Sequence, residues 1–337
     1  MKTIKDIAKE LNLSPSSVSR ALSDSPQISA ETKKKVRDLV RKYDYKPNRN
    51  AQNLVNNNSY TIGYMIPDIA DNFFSYSAFG VEEVLLESPY EISYYATQRS
   101  PKRVMDYLER AIEYRYSGIV ITPDEWSEAL IARLDSFPIP VVCLRRKTPT
   151  ALSDLPFVDT DHTGGMAEVV EYLLSLGHRE IAYIGFSSTI GEERKMGYLS
   201  ATARHDLPQY FEIDPSAHDT KKRPRIGYET IERLLKEHPQ ITAVAASDDY
   251  LALGVLEYLQ EQNIRVPEEI SVSGFDDREI GGIYSTQITT MHQYQYEMGQ
   301  QAAAMLLRMI ENPRDKPSSL MLKARLIPRR TAGPRRA

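Results

Sequence analysis

The sequence predicts a small all-α head joined to a larger α/β core with parallel sheets, and three observations carry that prediction. Residues 3–46 hold three short apolar-periodic segments, each introduced by a capping or turn residue. From residue 60 onward, short apolar strands alternate with amphipathic helices. Between these regions lies a polar stretch, PNRNAQNLVNNNS, at 47–59. The length of 337 residues fits about two domains.

In the head, Thr3 followed by Asp6 predicts a capped first helix of about two turns, with Ile4, Ile7, Ala8 and Leu11 facing inward. Asn12-Leu13-Ser14 is a short turn. Ser14-Pro15 restarts the chain as a helix, with Ser as N-cap and Pro at the first helical position. Val18, Ala21 and Leu22 form its buried stripe, leaving Ser16, Ser17, Ser19 and Arg20 to face outward. A third helix begins after Ser29, buries Val36, Leu39 and Val40, and is stopped by Lys46-Pro47. Within 47–59, Asn48 to Val55 is a candidate short helix ahead of an Asn/Ser run, and the whole segment reads as a hinge.

In the core, the clear strands are Thr61–Ile66, Glu91–Ala96, Gly118–Thr122, Val141–Leu144, Glu180–Gly185, Ala243–Ala246 and Ser271–Gly274. Helices such as Lys102–Tyr114, Gly164–Leu176, Gly227–Glu237 and Tyr250–Gln262 lie between them. This alternation specifies parallel sheets covered by helices on both faces, and about 270 residues suit two such sheets.

Charge is distributed unevenly. The net formal charge is −4, yet residues 1–59 carry 12 basic and 6 acidic side chains, while the remainder carries 30 and 40. The head is therefore +6 and the body −10. A basic head on an acidic body suits a small nucleic-acid-binding module attached to a separate domain. The single cysteine, Cys143, excludes an intramolecular disulfide framework and a multi-cysteine zinc site. No apolar run approaches the roughly 20 residues that span a bilayer. The opening MKTIKDIAKE mixes acids into each turn, unlike a signal peptide, so a cytoplasmic location without membrane attachment is expected. Phosphate-loop, dinucleotide-binding, zinc-protease and nucleophile-elbow signatures are absent from the sequence, and its six histidines include no i,i+4 pair. Nothing in the sequence calls for a catalytic residue, a cofactor or a metal.

Nine segments together resemble the LacI/GalR family of bacterial repressors, in that family's order and over essentially the whole chain. They are TIKDIAKELNLSPSSVSRAL, YKPNRNAQNL, TIGYMIPDIADNFF, EYRYSGIVITP, LLSLGHREIAYIG, ERKMGY, ASDDYLALGVLEYL, IRVPEEISVSGFDD and TTMHQYQYEMGQQAA. The resemblance implies a helix-turn-helix DNA-binding head at 1–46 and a hinge helix and linker at 47–59. It further implies an effector-binding and dimerisation core at 60–330, like periplasmic sugar-binding proteins, with 331–337 as a tail. Its two lobes are expected at about 60–161 with 290–321, and about 162–289 with 322–330. The chain would cross between them near Asp161, Thr289 and Leu322.

The resemblance places Pro15, Ser16 and Arg20 at base-reading positions, with Ser14 and Ser17 contacting phosphate or capping the helix. Ser16 and Arg20 share a helix face, and an Arg can donate two hydrogen bonds to guanine O6 and N7. Asn48, Ala51 and Leu54 match hinge positions used in the minor groove. An isolated helix of this length is marginal in water, so it should form only when two copies pair over DNA. The paired Leu54 side chains would then wedge a base step.

For the effector, the resemblance selects Arg194, Asp248 and Asp276 as hydroxyl-binding groups, with Phe73 and Phe74 lining the wall. Open α/β sheets bind ligands at strand ends, which is where these residues fall. The competing roles are helix capping for each Asp and core packing for the two Phe. Three departures add cations. Arg145 stands where the family usually has Asp and is followed by Arg146 and Lys147. Lys222 falls where a ring-stacking aromatic is common, and Arg99 where an acid is frequent. Cations facing one cleft favour an anionic effector, a sugar acid or phosphorylated sugar; solvated loop charge is the alternative.

The expected protein is a homodimeric repressor that binds double-stranded operator DNA and is controlled by a small-molecule carbohydrate effector. The tail IPRRTAGPRRA carries no heptads, which favours a dimer over a coiled-coil tetramer. Two alternatives stand beside this. Either the effector or a phosphocarrier protein acts as co-repressor, or the chain is a sugar-binding enzyme with the same core fold.

Overall fold

The computed structural model describes residues 2–22, 24–45, 59–152, 154–283 and 286–335. The expected hinge residues Asn48, Ala51 and Leu54 lie outside these. The chain divides into two compact units, 1–59 and 60–337.

In the first unit, α1 (Ile4–Glu10), α2 (Pro15–Leu22) and α3 (Ala30–Lys42) enclose a small core of Ile7, Ala8, Val18, Ala21 and Val36. The capping box is complete. The Asp6 N–H donates to the Thr3 hydroxyl at 3.4 Å, and the Thr3 N–H donates to the Asp6 carboxylate at 2.7 Å. Asn12 takes φ +50° in the tight turn, a left-handed conformation that Asn tolerates. Ser29 caps α3 through the Thr32 N–H. That helix ends at Lys42, short of the Lys46-Pro47 stop expected from sequence, because the chain turns through Asp44 at φ +44°.

The second unit contains two parallel sheets. The strands of the larger are β1 (Thr61–Ile66), β2 (Glu91–Ala96), β3 (Gly118–Ile121), β4 (Val141–Leu144), β5 (Phe157–Thr160) and β11 (Leu320–Leu322), in the order β11-β5-β4-β3-β1-β2. The smaller has the order β7-β6-β8-β9, from β6 (Ile181–Phe186), β7 (Tyr210–Asp214), β8 (Ala243–Ala246) and β9 (Ser271–Ser273). Every pairing within these sheets is parallel. Helices α4 (Asn72–Leu86), α5 (Pro101–Glu113), α6 (Glu128–Asp135), α7 (His162–Ser175), α8 (Thr189–Arg204), α9 (Arg223–Glu237), α10 (Asp249–Glu261) and α11 (Gln295–Glu311) cover the faces. Each sheet buries an apolar cluster on both sides, which is why its central strands are apolar without alternation.

The chain passes from the larger sheet to the smaller after β5. It turns back through β10 (Thr290–His292) into α11, which packs on α4 beneath the larger sheet, and leaves again between β11 and β12 (Arg325–Ile327). β10 and β12 pair antiparallel, a two-stranded ribbon that the parallel-sheet expectation did not contain. α4 and α11 cross closely enough that a Cβ on Gly80 would meet the Tyr296 carbonyl oxygen at 2.0 Å, and one on Gly299 the Ser77 carbonyl oxygen at 2.0 Å. Reciprocal glycines thus fix the depth of that crossing.

Apart from the end of α3, element bounds differ from the sequence expectation by a residue or two, with one larger exception. α9 begins at Arg223, a turn ahead of Gly227, because Pro224 sits in its first turn where no intrahelical N–H is needed.

Candidate functional site

The exposed face of the head is set by α2. Ser14, Pro15, Ser16 and Arg20 are exposed, and Ser17 is half-buried. The Ser14 hydroxyl accepts from the Ser17 N–H at 3.1 Å and lies 2.8 Å from both the Ser16 and Ser17 hydroxyls. Ser14 is therefore the N-cap of this helix in the protein alone. Arg20 donates to the Gln27 side-chain oxygen at 3.2 Å, which orients the guanidinium along the surface.

In the core, the carboxyl ends of β1, β3 and β4 face those of β6 and β8 at the points where strand order reverses, the position at which open α/β sheets bind ligands. A cavity of about 40 Å³ lies there. Five arginines line it, Arg99, Arg145, Arg146, Arg223 and Arg278, against the acids Asp71, Asp124 and Glu125. At ~10–15 Å³ for each water, this space admits about three waters. The cleft is closed in this conformation.

A buried ionic network closes it. Arg278 donates to Asp71, the N-cap of α4, at 2.6 Å, and to Asp276 at 3.1 Å. Arg194, fully buried, donates to the other oxygen of Asp276 at 2.8 Å and to the Ser247 carbonyl at 2.6 Å, with its guanidinium 3.8 Å from the Phe275 ring centroid. Arg145 reaches Asp276 only at 4.0 Å and stacks on Phe73 at 4.0 Å and Phe74 at 5.5 Å. Burial alone would raise the Asp276 carboxyl, but Arg194, Arg278 and Arg145 together hold it far below the usual carboxylate range. Burial pushes the Arg145 guanidinium down to about 10, opposed by Asp276 and Asp71, so it stays charged at neutral pH.

These contacts redistribute the expected effector set. Phe74 and Arg145 line the cavity. Phe73 instead backs Arg145. Arg194, Asp248 and Asp276 do not line the cavity: Arg194 and Asp276 bind each other, and Asp248 has partners of its own. Asp248 caps α10, accepting from the Leu251 N–H at 2.9 Å, and its second oxygen pairs with Arg223. The capping role weighed for Asp248 is therefore present, together with an ion pair. Lys222 is a correction: it is exposed and does not line the cavity, whereas Arg223 is buried, does line it, and stacks on Phe186 at 4.0 Å. The early start of α9 explains the exchange, since it turns residue 223 inward. Sequence reasoning also missed Asp71 and Arg278. Their signal was present in the segments DIADNFF and GFDDRE, but pairing across more than 200 residues has no local signature.

His162 opens α7 behind this network. Arg194 approaches its Nδ1 at 3.3 Å, so Nδ1 accepts and the proton resides on Nε2, 3.5 Å from the Asp159 carboxylate. Burial pushes the His162 imidazole down to about 4, against the raising effect of Asp159. The unfolded chain takes up a proton near pH 6.5 and the folded one only near pH 4. Stability is thus lost as pH falls through that interval, by roughly 3 kcal/mol from this group. Urea midpoints measured between pH 7 and pH 4 should therefore drop less steeply for His162→Gln than for the wild type; parallel curves would refute the assignment.

A helical head presenting an exposed second helix, attached to a two-lobed parallel α/β core with a strand-end cleft, defines a DNA-binding transcriptional regulator. Residues 3–48 match the family described as bacterial regulatory proteins, lacI family, and residues 170–332 match the periplasmic binding protein-like domain. The chain is 32% identical over 330 residues to the Probable HTH-type transcriptional repressor ExuR of Bacillus subtilis, covering 95% of each protein. It is 27% identical to Catabolite control protein A of Priestia megaterium, over 91% of this chain and 92% of that one. The structure of the lac repressor dimer bound to operator and the anti-inducer ONPF superposes with a TM-score of 0.85 at 25% identity, over 98% of this chain and 99% of that one. The chain belongs to the LacI family of bacterial regulatory proteins, and it is a DNA-binding transcriptional repressor and not an enzyme. Among the described residues, no helix is long and apolar enough to cross a membrane.

Proposed function

We propose that this repressor binds a pseudo-palindromic operator as a homodimer and that a small anionic carbohydrate, a sugar acid or sugar phosphate, controls it from the interlobe cleft. One observation carries the effector class. Among the described residues, Arg145 Nε, Arg146 Nη1, Arg278 Nε and the Thr122 hydroxyl are buried without a hydrogen-bond partner in the protein, and all four residues line the one cavity. An unpaired buried donor costs about 1–3 kcal/mol, more when charged, and an anionic oxygen would recover that energy. Asp71 and Asp276 occupy Arg278 in the closed cleft, and an entering anion competes with them. That competition changes the relative orientation of the lobes, and the segment 47–59, with Asn48, Ala51 and Leu54 as its minor-groove contacts, passes the change to the operator. Ser14, Pro15, Ser16, Ser17 and Arg20 form the major-groove contact.

Dimerisation is supported by an exposed apolar stripe on α4, Tyr76, Phe79 and Leu86, continued by Tyr94 on the edge strand β2. Phe79 is 60% and Leu86 76% exposed, more apolar surface than a lone helix face usually leaves in water.

Calorimetry with glucose, glucuronate and glucose 6-phosphate tests the effector class. The two anions should bind and shift operator affinity in a mobility-shift titration. Arg146→Ala should weaken them roughly 10- to 150-fold, the loss of one charged hydrogen bond. Tight binding of glucose with no response to either anion would overturn the proposal.

A further inference from the structure

A second cavity of about 330 Å³ adjoins the cleft on the side of the larger sheet, and it shares Arg99, Pro123, Asp124 and Glu125 with the first. The Arg99–Asp124 ion pair stands where the two meet. The larger cavity reaches the lower end of the ~300–1,000 Å³ range typical of small-ligand sites, whereas the cleft itself has about 40 Å³. Its wall has two characters. Val104, Met105, Leu130 and Trp126 supply an apolar surface, while Arg99 and Lys102 supply charge.

Three features show that this wall is built to be held in place. Trp126 donates its Nε1–H to the Lys147 carbonyl at 3.0 Å, so its polar atom is engaged and its contribution to the cavity is an apolar ring. Gln98 and Arg99 are consecutive non-glycine residues at φ +52° and +57°. Each costs about 1–2 kcal/mol relative to ordinary backbone, and together they turn the Arg99 guanidinium into the partition. From the other side, Arg146 anchors the partition by donating to the Pro123 carbonyl at 3.1 Å and the Asp124 carbonyl at 2.6 Å.

We propose that the effector is an anionic disaccharide: its charged ring sits in the cleft and its second ring lies on Trp126 in the adjoining cavity, with the Arg99–Asp124 pair parting between them. A pyranose fits this wall because its C–H face is apolar and its hydroxyls point outward to the charged rim. The inference rests on the anionic reading of the cleft, and its test separates the two.

Four probes cross charge with length: glucose, maltose, glucuronate, and an acidic disaccharide ending in glucuronate. Trp126 is the only tryptophan in the chain, so its emission reports on the second cavity without a label. With the full-length protein, the acidic disaccharide should bind at least tenfold tighter than glucuronate. Disaccharides should shift the Trp126 emission and monosaccharides should not. The disaccharide-to-monosaccharide ratio should fall to near one in Trp126→Ala and return in Trp126→Phe, which keeps an aromatic face should the alanine variant fold poorly. A length advantage without a charge advantage would retain the second-ring site and refute the anionic cleft. A charge advantage without a length advantage would refute the second-ring site alone. A ratio that persists in Trp126→Ala, or no binding by any of the four, overturns the proposal.

Discussion

Arg20→Ala should abolish the preference of this repressor for its operator over other duplex DNA. Arg20 is exposed near the end of α2, on the face it shares with Ser16. Pro15 offers no hydrogen-bond donor and Ser16 a short one, so on the proposed reading most hydrogen-bonded readout of base edges would fall on the guanidinium. A bidentate Arg–guanine pair contributes about 1–3 kcal/mol of discrimination, and a dimer makes it twice. The specific-to-non-specific ratio should accordingly fall by between about 30-fold and roughly 20,000-fold in competition mobility shifts. The Gln27 contact does not change this expectation, because it is a solvent-exposed hydrogen bond that water or a base edge readily replaces. Binding to arbitrary DNA should weaken much less, since the remaining basic side chains of the head still attract phosphate. Operator discrimination that survives the substitution would remove Arg20 from the reading role.

Asp276→Asn should destabilise the core by about 3–5 kcal/mol, the usual cost of breaking a buried ion pair from one side. Its carboxylate receives Arg194 on one oxygen and Arg278 on the other, with Arg145 at 4.0 Å. Removing the charge leaves the fully buried Arg194 without its carboxylate partner. The carboxyl is held below its ordinary value, so its contribution is present at neutral pH and is lost only as acid protonates it. A lowered urea midpoint at pH 7 measures the effect, and a loss under about 1 kcal/mol would mean that the network contributes little. Arg194→Met combined with Asp276→Leu should cost less than Asp276→Asn alone, because it removes the unpaired charge along with the pair.

Much of the architecture was legible because its causes are local. Thr3 and Asp6 announce the first helix by a capping box that needs only three residues of separation, and Ser14-Pro15 announces the second in the same way. The central strands of both sheets, buried on two faces, read as continuous apolar runs. β7 was less legible because it is an edge strand in which no residue is fully buried and Phe211 is exposed. β10 and β12, three residues each, become strands only by pairing with each other across more than 30 residues of intervening chain.

The site divided along the same line. Arg145 and Phe74 were visible as strand-end and helix-start residues, and they line the cleft. Lys222 and Arg223 could not be told apart from sequence, because one residue of helix phase decides which side chain turns inward. Asp71 and Arg278 give no local sign of each other.

The charge asymmetry, the helix-turn-helix and the α/β core of parallel sheets were determined by the sequence itself, through capping, periodicity and composition, which act over a few residues. The tertiary structure alone decided which arginines face the cavity, which are neutralised behind it, and that a second cavity holding Trp126 opens beside the first. Those outcomes depend on distances between loops far apart in the chain, where a shift of one residue or a few ångströms turns a paired charge into an unpaired one.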